Sequence, residues 1–312
     1  MKIFNNTTIP KRYKNSAIAI GNFDGVHLGH QKVFKKTMSI AKQKKIKFGV
    51  LTFTPLPVMF FNKKIKNHRL ASEAQKLKLF KKSKVDFVIN IKFNKFFSKI
   101  EAESFIKKII YKKLKVKLLA VSNNFKFGCN RKGDVNLLEK FSEECGYKLL
   151  NVNPHRFLKS TVSSTKIRNC LNKGKIELAN KLLSRTWFIE GVVIKGKKLG
   201  RKLGYRTCNI KINNFILPKP GIYAVKVQIN NNKYLYGGVA YLGNRPTFDG
   251  KEVFLETNIF NINKNLYKKK LRVYFLKFLR NDKKFGNSKQ LVMQMNKDVI
   301  FAKKGLKAKL IL

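Results

Sequence analysis

Two of the four histidines in the chain stand three residues apart, within the segment GNFDGVHLGH at residues 21–30. An apolar stretch at 16–20 precedes this segment and an amphipathic stretch follows it, which predicts a strand, a glycine-rich turn and the start of a helix. Free N–H groups and a partial positive charge at a helix start favour the binding of an anion such as phosphate. Because His27 and His30 closely flank Gly29, we expect both imidazoles to face one pocket.

A glycine-rich turn with two incidental histidines is the alternative interpretation of this segment. Since the whole chain has only four histidines, two of them at the end of a predicted strand argue against coincidence. Zinc is a poor alternative as well, because no nearby carboxylate or cysteine completes a set of ligands.

The elements that would position these residues alternate between strand and helix through the first half of the chain. This alternation predicts a parallel sheet covered by helices, and such sheets bind ligands where strands lead into helices. Strands are predicted at 16–20, 48–53, 86–91, 117–121 and 148–152. Helices are predicted at 31–44, 101–114, 135–145, 165–171 (with Ser163 and Ser164 as the cap) and 176–183.

After about residue 185 the pattern changes to strands without intervening helices, which predicts an antiparallel barrel closed by a C-terminal helix. We therefore expect two domains, 1–184 and 185–312. The strand-like stretches are 187–194, 222–229, 234–241, 253–260 and 271–278, and the helix is 288–302.

A second candidate site lies at the start of this barrel, in the segment GKKLGRKLGYRTCN at 196–209. It lacks the GKS or GKT of a Walker loop, which excludes an ordinary P-loop kinase. A glycine-rich hairpin without a ligand is the alternative for this segment.

The charge of the chain is strongly unbalanced, with 69 Lys and Arg against 16 Asp and Glu and a net charge of +53. Such a charge attracts nucleic acids, anionic surfaces and phosphorylated substrates. The lysines are spread over the whole chain among abundant Asn, Ile and Phe, however, and this indicates compositional drift. A dedicated nucleic-acid binder concentrates Arg and aromatic residues in one patch. We therefore predict no specific nucleic-acid partner.

Cysteine use and hydropathy predict where the protein resides. The four cysteines show no metal-finger or redox spacing, which indicates a reducing compartment. The N-terminus lacks the apolar centre of a signal peptide, and no apolar run approaches the roughly 20 residues of a membrane helix. We expect a soluble, cytoplasmic protein without a membrane partner, either a monomer or a weak oligomer.

In the first half, the order of motifs resembles that of the prokaryotic bifunctional riboflavin kinase/FAD synthetases. The segment at 21–30 is similar to the HxGH motif of nucleotidylyltransferases, and LTFTPLP at 51–57 is similar to the family's FxPxP loop, with Leu56 where His is common. NFKFG at 124–128 resembles its flavin segment, and SSTKIR at 163–168 matches SSTxIR. The resemblance implies a Rossmann-like nucleotidylyltransferase domain.

The resemblance also implies roles for single residues of this domain. His27 and His30 would be catalytic. ATP would be bound by Gly21, Phe23, Asp24, Gly29, Ser163, Ser164, Thr165 and Arg168, and the flavin by Asn124, Phe125 and Phe127. Core packing is the alternative for the two phenylalanines.

In the second half, the segment at 196–209 resembles the riboflavin kinase signature GRxLGxPTAN, with Arg206 in place of Pro and Cys208 in place of Ala. Since proline fixes φ, its loss predicts a looser loop. LETNI at 255–259 resembles the strand that carries the catalytic Glu, here Glu256, with Asn258 where His is frequent. The resemblance implies a six-stranded kinase barrel with a C-terminal helix. It also implies ATP binding by Gly200, Arg201, Gly204, Thr207 and Asn209, Mg²⁺ binding by Thr207 and Asn209, and flavin binding by Arg280 and Phe285.

Together these resemblances imply a flavin-cofactor enzyme that phosphorylates riboflavin to FMN with ATP and then transfers an adenylyl group from ATP to FMN, giving FAD and pyrophosphate. Two alternatives stay open on the sequence alone. One is an FAD synthetase whose barrel has lost kinase activity, suggested by Arg206. The other is a basic nucleic-acid-binding protein, suggested only by the net charge.

Overall fold

Residues 1–196, 200, 203–212, 214–230, 232–247 and 250–306 are described by a computed structural model of the chain. They form two units. The first consists of Met1–Lys66 and Ala71–Ser164, and the second of Asn67–Leu70 together with the chain from Thr165 onward.

The first unit is built on a parallel sheet. Its strands are Lys2–Phe4 (β1), Ala17–Ile20 (β2), Phe48–Thr54 (β3), Phe87–Lys92 (β4), Leu118–Ser122 (β5) and Lys148–Val152 (β6), followed by a small hairpin of Arg156–Phe157 (β7) and Ser160–Thr161 (β8). Its helices are Leu28–Gln43 (α1), Pro57–Phe61 (α2), Glu73–Lys82 (α3), Lys95–Ser98 (α4), Ala102–Ser104 (α5) and Val135–Lys140 (α6), with a π-helix at Phe105–Lys113.

The strand order of this sheet, β1-β4-β3-β2-β5-β6, places β2 between β3 and β5. The order of strands reverses at β2, and open sheets bind ligands at the carboxyl ends of the strands beside such a reversal. All four residues of β2 are buried because both faces of the sheet are covered. Ile18 packs into the core on one face and Ala19 into the core on the other. Gly21 directly follows this strand.

The five strands predicted for the first half are confirmed, but several other elements differ from the prediction. β1 was not predicted, because it is only three residues long and too short for a clear pattern. The helices α2, α3 and α4 and the hairpin of β7 and β8 were not predicted either. The helix predicted at 101–114 is mostly a π-helix, in which the N–H of Leu114 donates to the carbonyl of Ile109 at 3.0 Å. The helix predicted at 135–145 ends at Lys140.

The second unit is a closed barrel of six antiparallel strands, as predicted, and its strand order is β10-β13-β12-β11-β14-β9. Trp187, Tyr223 and Phe275 are its largest fully buried side chains. The strands are Phe188–Ile194 (β9), Thr207–Lys211 (β10), Gly221–Ile229 (β11), Leu235–Thr247 (β12), Gly250–Ile259 (β13) and Lys270–Arg280 (β14). The helices are Ser164–Asn172 (α7), Ile176–Leu183 (α8) and, after the last strand, Ser288–Gly305 (α9).

Residues 67–70 belong to the second unit although they precede α3 of the first. Arg69 forms a parallel bridge with Phe215, and the indole N–H of Trp187 donates to the carbonyl of Leu70 at 2.8 Å. The second unit also includes the chain from Thr165 onward, so the two compact units do not coincide with the domains 1–184 and 185–312. That division by function stays a prediction.

Candidate active sites

His27 forms the start of α1. Its Nδ1 accepts hydrogen bonds from the N–H groups of Gly29 and His30, at 3.1 and 3.4 Å, and the residue is 5% exposed. Because Nδ1 accepts, the neutral ring carries its proton on Nε2. The expectation that the N–H groups at this helix start are free for an anion is therefore wrong for Gly29 and His30. An imidazole takes their place at the helix start.

The ring of His30 lies against that of His27. The two centroids are 3.6 Å apart and the planes differ by 21°, so the sequence spacing does place both imidazoles together. The ring of Phe23 meets His30 edge-on at 5.2 Å and is itself buried. Contacts on both sides thus hold the His30 ring in place.

A cavity of about 1010 Å³ opens beside these histidines, and all its lining residues belong to the first unit. Its lining includes the polar Asn22, His27, His30, Ser163 and Ser164. It also includes eight phenylalanines, Phe23, Phe53, Phe61, Phe93, Phe97, Phe105, Phe125 and Phe127. Convergent polar groups beside a cluster of aromatic side chains are typical of a site for a flat aromatic ligand with a charged group.

All five residues of the predicted flavin segment at 124–128 line this cavity, including the predicted flavin-binding residues Asn124, Phe125 and Phe127. The two phenylalanine rings are stacked, with centroids 5.5 Å apart and planes 13° apart. Phe127 also packs on Phe105 in the core, so core packing accounts for part of its contacts. The hydroxyl of Ser122 donates to Oδ1 of Asn124 at 2.9 Å and orients that amide.

Ser164 is the last residue of the first unit, and its hydroxyl donates to the carbonyl of Asp24 in the glycine-rich loop at 2.9 Å. The helix begins at Ser164, so of the two residues predicted as its cap only Ser163 precedes it. Thr165 follows in the first turn. Nε of Arg168 donates to the carbonyl of His68 at 2.9 Å, within the second unit.

His155 also lines the cavity, and the sequence analysis missed it. It follows β6 at the same carboxyl edge of the sheet as Gly21, which was the available signal. Nζ of Lys32 on α1 donates to the carbonyl of Pro154 at 3.4 Å, which links the preceding residue to the histidine helix. Three of the four histidines of the chain therefore line one cavity.

In the barrel, Thr207, Asn209 and Glu256 lie together although 47 residues separate Asn209 from Glu256 in the sequence. Asn209 on β10 is the register partner of Glu256 on β13, and the hydroxyl of Thr207 donates to Oε1 of Glu256 at 2.6 Å. Among the described residues, the buried Oδ1 of Asn209 has no hydrogen-bond partner. An acceptor oxygen left in this state fits a ligand that brings a donor or a cation.

Two glycines of this loop stand where another residue would clash or be strained. A Cβ on Gly196 would collide with the side-chain amide of Asn209, and Gly204 has a φ of +81° that favours glycine. Gly200 accepts a hydrogen bond from the N–H of Tyr205 at 2.8 Å. Arg201, also predicted to bind ATP, lies outside the described residues.

Arg280 is fixed by an ion pair that the sequence analysis did not predict. Its Nε and Nη2 donate to the two carboxylate oxygens of the buried Asp298 on α9, at 2.8 and 2.6 Å. The guanidinium lies over the ring of Phe285 with 5.9 Å to the centroid, so these two predicted flavin residues contact each other. Only the contact in space, not the sequence, identifies Asp298.

All four cysteines are free, and burial raises the pKa of Cys208 in β10 to about 11. Among the described residues no cluster of three or more His, Cys, Asp or Glu side chains is arranged to hold a metal ion. None of the helices in the described part of the chain is long and apolar enough to cross a membrane.

Comparison with protein families divides the chain in the same way as the two candidate sites. Residues 9–166 match the model of the FAD synthetase family, and residues 183–306 match that of the riboflavin kinase family. The first match includes the histidine cavity, and the second includes Thr207, Asn209 and Glu256.

Similar proteins cover almost the whole chain. A protein of Buchnera aphidicola from Schizaphis graminum is 40% identical over 95% of this chain and 96% of its own length, and one of Haemophilus influenzae is 37% identical over 92% and 93%. Both are named bifunctional riboflavin kinase/FMN adenylyltransferase. A solved structure from Streptococcus pneumoniae, titled a macrolide-efflux protein, has a TM-score of 0.85 at 27% identity and covers 96% of this chain and 98% of its own. The two family matches and the curated relatives together show that the chain belongs to the family of bifunctional riboflavin kinase/FMN adenylyltransferases.

Proposed function

We propose that the protein makes FAD in two steps, phosphorylating riboflavin to FMN with ATP and then transferring the adenylyl group of a second ATP to FMN. The observation that carries this proposal is the presence of one built site in each unit, each within its own family match. It favours the bifunctional enzyme over a single-activity synthetase and over a nucleic-acid-binding protein.

The histidine cavity is the proposed site of adenylyl transfer. The phosphate of FMN is already an anion at neutral pH, so it attacks the α-phosphorus of ATP without a general base, and pyrophosphate leaves. Catalysis then consists of positioning and of relieving the charge that develops on the phosphate oxygens. His27 suits this role because its Nδ1 is held by the backbone and its Nε2–H is the remaining donor. His30 is held beside it by the stacked ring contact.

The nucleotide is proposed to lie along the glycine-rich loop, beside Ser163 and Ser164 of the same unit. Ser163 and Ser164 line the cavity, and the hydrogen bond from Ser164 to Asp24 holds the loop within the first unit. The resemblance assigns ATP contacts to Gly21, Phe23, Asp24, Gly29 and Thr165 as well, and to Arg168 one turn further along α7.

The aromatic lining of the cavity is the proposed flavin subsite. The stacked rings of Phe125 and Phe127 offer a flat apolar surface, and the amide of Asn124 beside them supplies a polar group that can orient the flavin. Phe61 and Phe93 line the same cavity and contact each other with centroids 5.7 Å apart.

The barrel is the proposed kinase, with Glu256 as its general base. The nucleophile is a hydroxyl group of riboflavin, which must lose a proton, and a positioned carboxylate contributes to that step. Glu256 lies beside the two residues proposed to hold the cation. Arg280 and Phe285 are proposed to hold the flavin, and Gly200, Arg201 and Gly204 the ATP phosphates.

Mg²⁺ is the proposed cation, and the donor set fits it. The hydroxyl of Thr207 donates a hydrogen bond to Glu256, which leaves the lone pairs of the Thr207 oxygen available to a cation. Oδ1 of Asn209 has no hydrogen-bond partner among the described residues. Hard oxygen donors of this kind suit Mg²⁺, which keeps several of its waters. When bound, the ion would neutralise charge on the ATP phosphates.

Riboflavin, FMN and ATP are the proposed partners. A cytoplasmic location, a monomeric or weakly associated state and the lack of a specific nucleic-acid partner stay predictions from composition.

The decisive experiment incubates the purified full chain with ATP, Mg²⁺ and either riboflavin or FMN, and separates the flavins by chromatography. We expect FMN and FAD from riboflavin, and FAD from FMN. FAD from FMN without phosphorylation of riboflavin would support the single-activity synthetase, and no product from either flavin would overturn the proposal.

A further inference from the structure

Lys76 is a buried lysine that the proposed reactions do not use. It lies on α3, is 5% exposed, and its Nζ donates to the hydroxyl of Thr52 at 3.1 Å. Thr52, on β3, is fully buried and passes the hydrogen bond on, since its hydroxyl donates to the carbonyl of Asn22 at 3.1 Å. A buried chain of two hydrogen bonds thus connects an amino group on α3 to the glycine-rich loop.

These two hydrogen bonds lie in an otherwise apolar interface between the sheet and the helices α1 and α3. The face of the sheet that packs on α1 and α3 is apolar at Val50 and Val88, and two residues further along both strands it becomes polar, at Thr52 and Asn90. Asn90 is tied to α3 too, since its Nδ2 donates to Glu73 at 2.6 Å. A lysine buried in such an interface is unfavourable unless its hydrogen bonds compensate, so its place calls for a reason.

The glycine-rich loop, which accepts the second of these hydrogen bonds, has a strained backbone. Phe23 and Val26 have φ of 47° and 41°, values that side-chain-bearing residues seldom adopt. Such conformations persist only where the surrounding structure holds them. Asn22 and Phe23 both line the histidine cavity, and the peptide group between them contains the carbonyl that Thr52 holds.

We propose that Lys76 is a positioning residue for the nucleotide triphosphate in adenylyl transfer, acting through Thr52 on the peptide between Asn22 and Phe23. Donation from Lys76 polarises the Thr52 hydroxyl and strengthens its bond to the Asn22 carbonyl, because hydrogen bonds in a chain reinforce one another. This fixes the loop in the conformation that receives the phosphates. The inference rests on the proposed assignment of the cavity to ATP and FMN.

The test compares Lys76→Met with Lys78→Met in the full chain. Lys78 lies two residues away on the exposed side of the same helix, so its variant removes the same side chain without touching Thr52. We expect Lys76→Met to lower kcat/KM for ATP in FMN adenylylation at least tenfold, with KM for FMN within twofold of the parent and riboflavin phosphorylation unchanged. Lys78→Met should behave as the parent.

A second pair of variants keeps the test independent of folding at position 76. Thr52→Val keeps the shape of the side chain but removes the hydroxyl, and Thr52→Ser keeps the hydroxyl. We expect Thr52→Val to reproduce the loss and Thr52→Ser to retain parental kinetics. Since the two residues act through one chain, Lys76→Met combined with Thr52→Val should lose little more than either change alone.

Parental adenylylation in both Lys76→Met and Thr52→Val would overturn the inference. So would a rise in KM for FMN equal to that for ATP, because a general loss of structure would produce that result. If the parent itself forms no FAD from FMN, the proposed function fails instead. Calorimetric titration with ATP then tests the inference, which is overturned if Lys76→Met and Thr52→Val bind ATP as tightly as the parent.

Discussion

The imidazole of His27 serves two purposes with its two nitrogens. Nδ1 holds the N–H groups that begin α1, and the same ring lines the cavity. Replacing His27 would therefore remove the helix cap together with the proposed catalytic donor, and loss of a cap alone costs about 1 kcal/mol. His30 has its ring contacts but does not cap the helix, so it is the cleaner position at which to test adenylyl transfer.

We expect His30→Ala to lower FAD formation from FMN by about 10²–10³, the usual effect of removing one donor to a developing charge. Riboflavin phosphorylation should persist, because its proposed residues lie in the other unit. Steady-state assays of both reactions on the same preparation make the kinase an internal control for folding. An equal loss of both activities, or no loss of FAD formation, would contradict the assignment.

We expect Glu256→Gln to lower riboflavin phosphorylation by about 10²–10⁴, because glutamine can still hydrogen-bond to Thr207 but cannot accept the substrate proton. Riboflavin binding, measured by quenching of its fluorescence, should change little. FAD synthesis from added FMN should persist, since its nucleophile needs no base. A variant that phosphorylates riboflavin at the parental rate would show that Glu256 is not the base.

Cys208 should make the barrel less stable in alkali. Burial raises its pKa from 9.0 to about 11, so the folded state keeps the thiol proton longer than the unfolded state does. Stability from this group is complete below the unfolded pKa and is lost as pH rises through the window from 9.0 to about 11. Urea unfolding followed by the fluorescence of Trp187, the only tryptophan, measures the barrel directly. Cys208→Ala should flatten the alkaline decline and Cys129→Ala should not; an unchanged decline in Cys208→Ala would refute the effect.

At the scale of elements, hydrophobic patterns predicted the strands whose burial is visible in the local sequence. The buried runs of β2 and β3 and the alternating strands of the barrel were found because burial on one or two faces leaves a pattern in the sequence. The π-helix was not, because α- and π-helical turns bury similar sets of residues and differ in their hydrogen bonds. Asp298 was missed for a related reason, since it reaches its site only through tertiary packing. For His155 the position after a predicted strand was a signal that went unused.

Two departures from the family pattern contact each other, one in the loop before β10 and one on β13. Asn258 stands where His is frequent and Arg206 where Pro is usual, and Nδ2 of Asn258 donates to the carbonyl of Arg206 at 2.8 Å. The amide thus fastens the loop at the residue whose φ is no longer fixed by a proline ring.

We expect Arg206→Pro to tighten ATP binding in the barrel, because a fixed φ reduces the conformational freedom that binding must remove. Arg206→Ala is the matched control, since it removes the same exposed side chain without a ring. The measurement is KM for ATP in riboflavin phosphorylation. Weaker ATP binding in Arg206→Pro would refute the prediction, and kinase activity that appears only in Arg206→Pro would support the single-activity hypothesis for the parent.

For the whole molecule, the net charge of +53 predicts weak, sequence-independent binding to duplex DNA that falls steeply with salt. Each lysine that neutralises a phosphate releases counterions, and no sequence information is involved. Titrating two unrelated duplexes at several salt concentrations checks this. Affinity tighter than ~10⁻⁸ M for one sequence at physiological salt would restore the nucleic-acid-binding alternative.

The passage of residues 67–70 into the second unit has a consequence for how this protein can change in evolution. A gene fragment that encodes only the kinase match, residues 183–306, lacks Leu70, the acceptor for the buried indole of Trp187, and Arg69, the bridge partner of Phe215. Gene fission between the two matches would therefore leave the buried indole N–H of Trp187 without its hydrogen-bond acceptor. A lineage that no longer needs one activity can lose it by point substitution at far smaller structural expense than by deletion of half the gene.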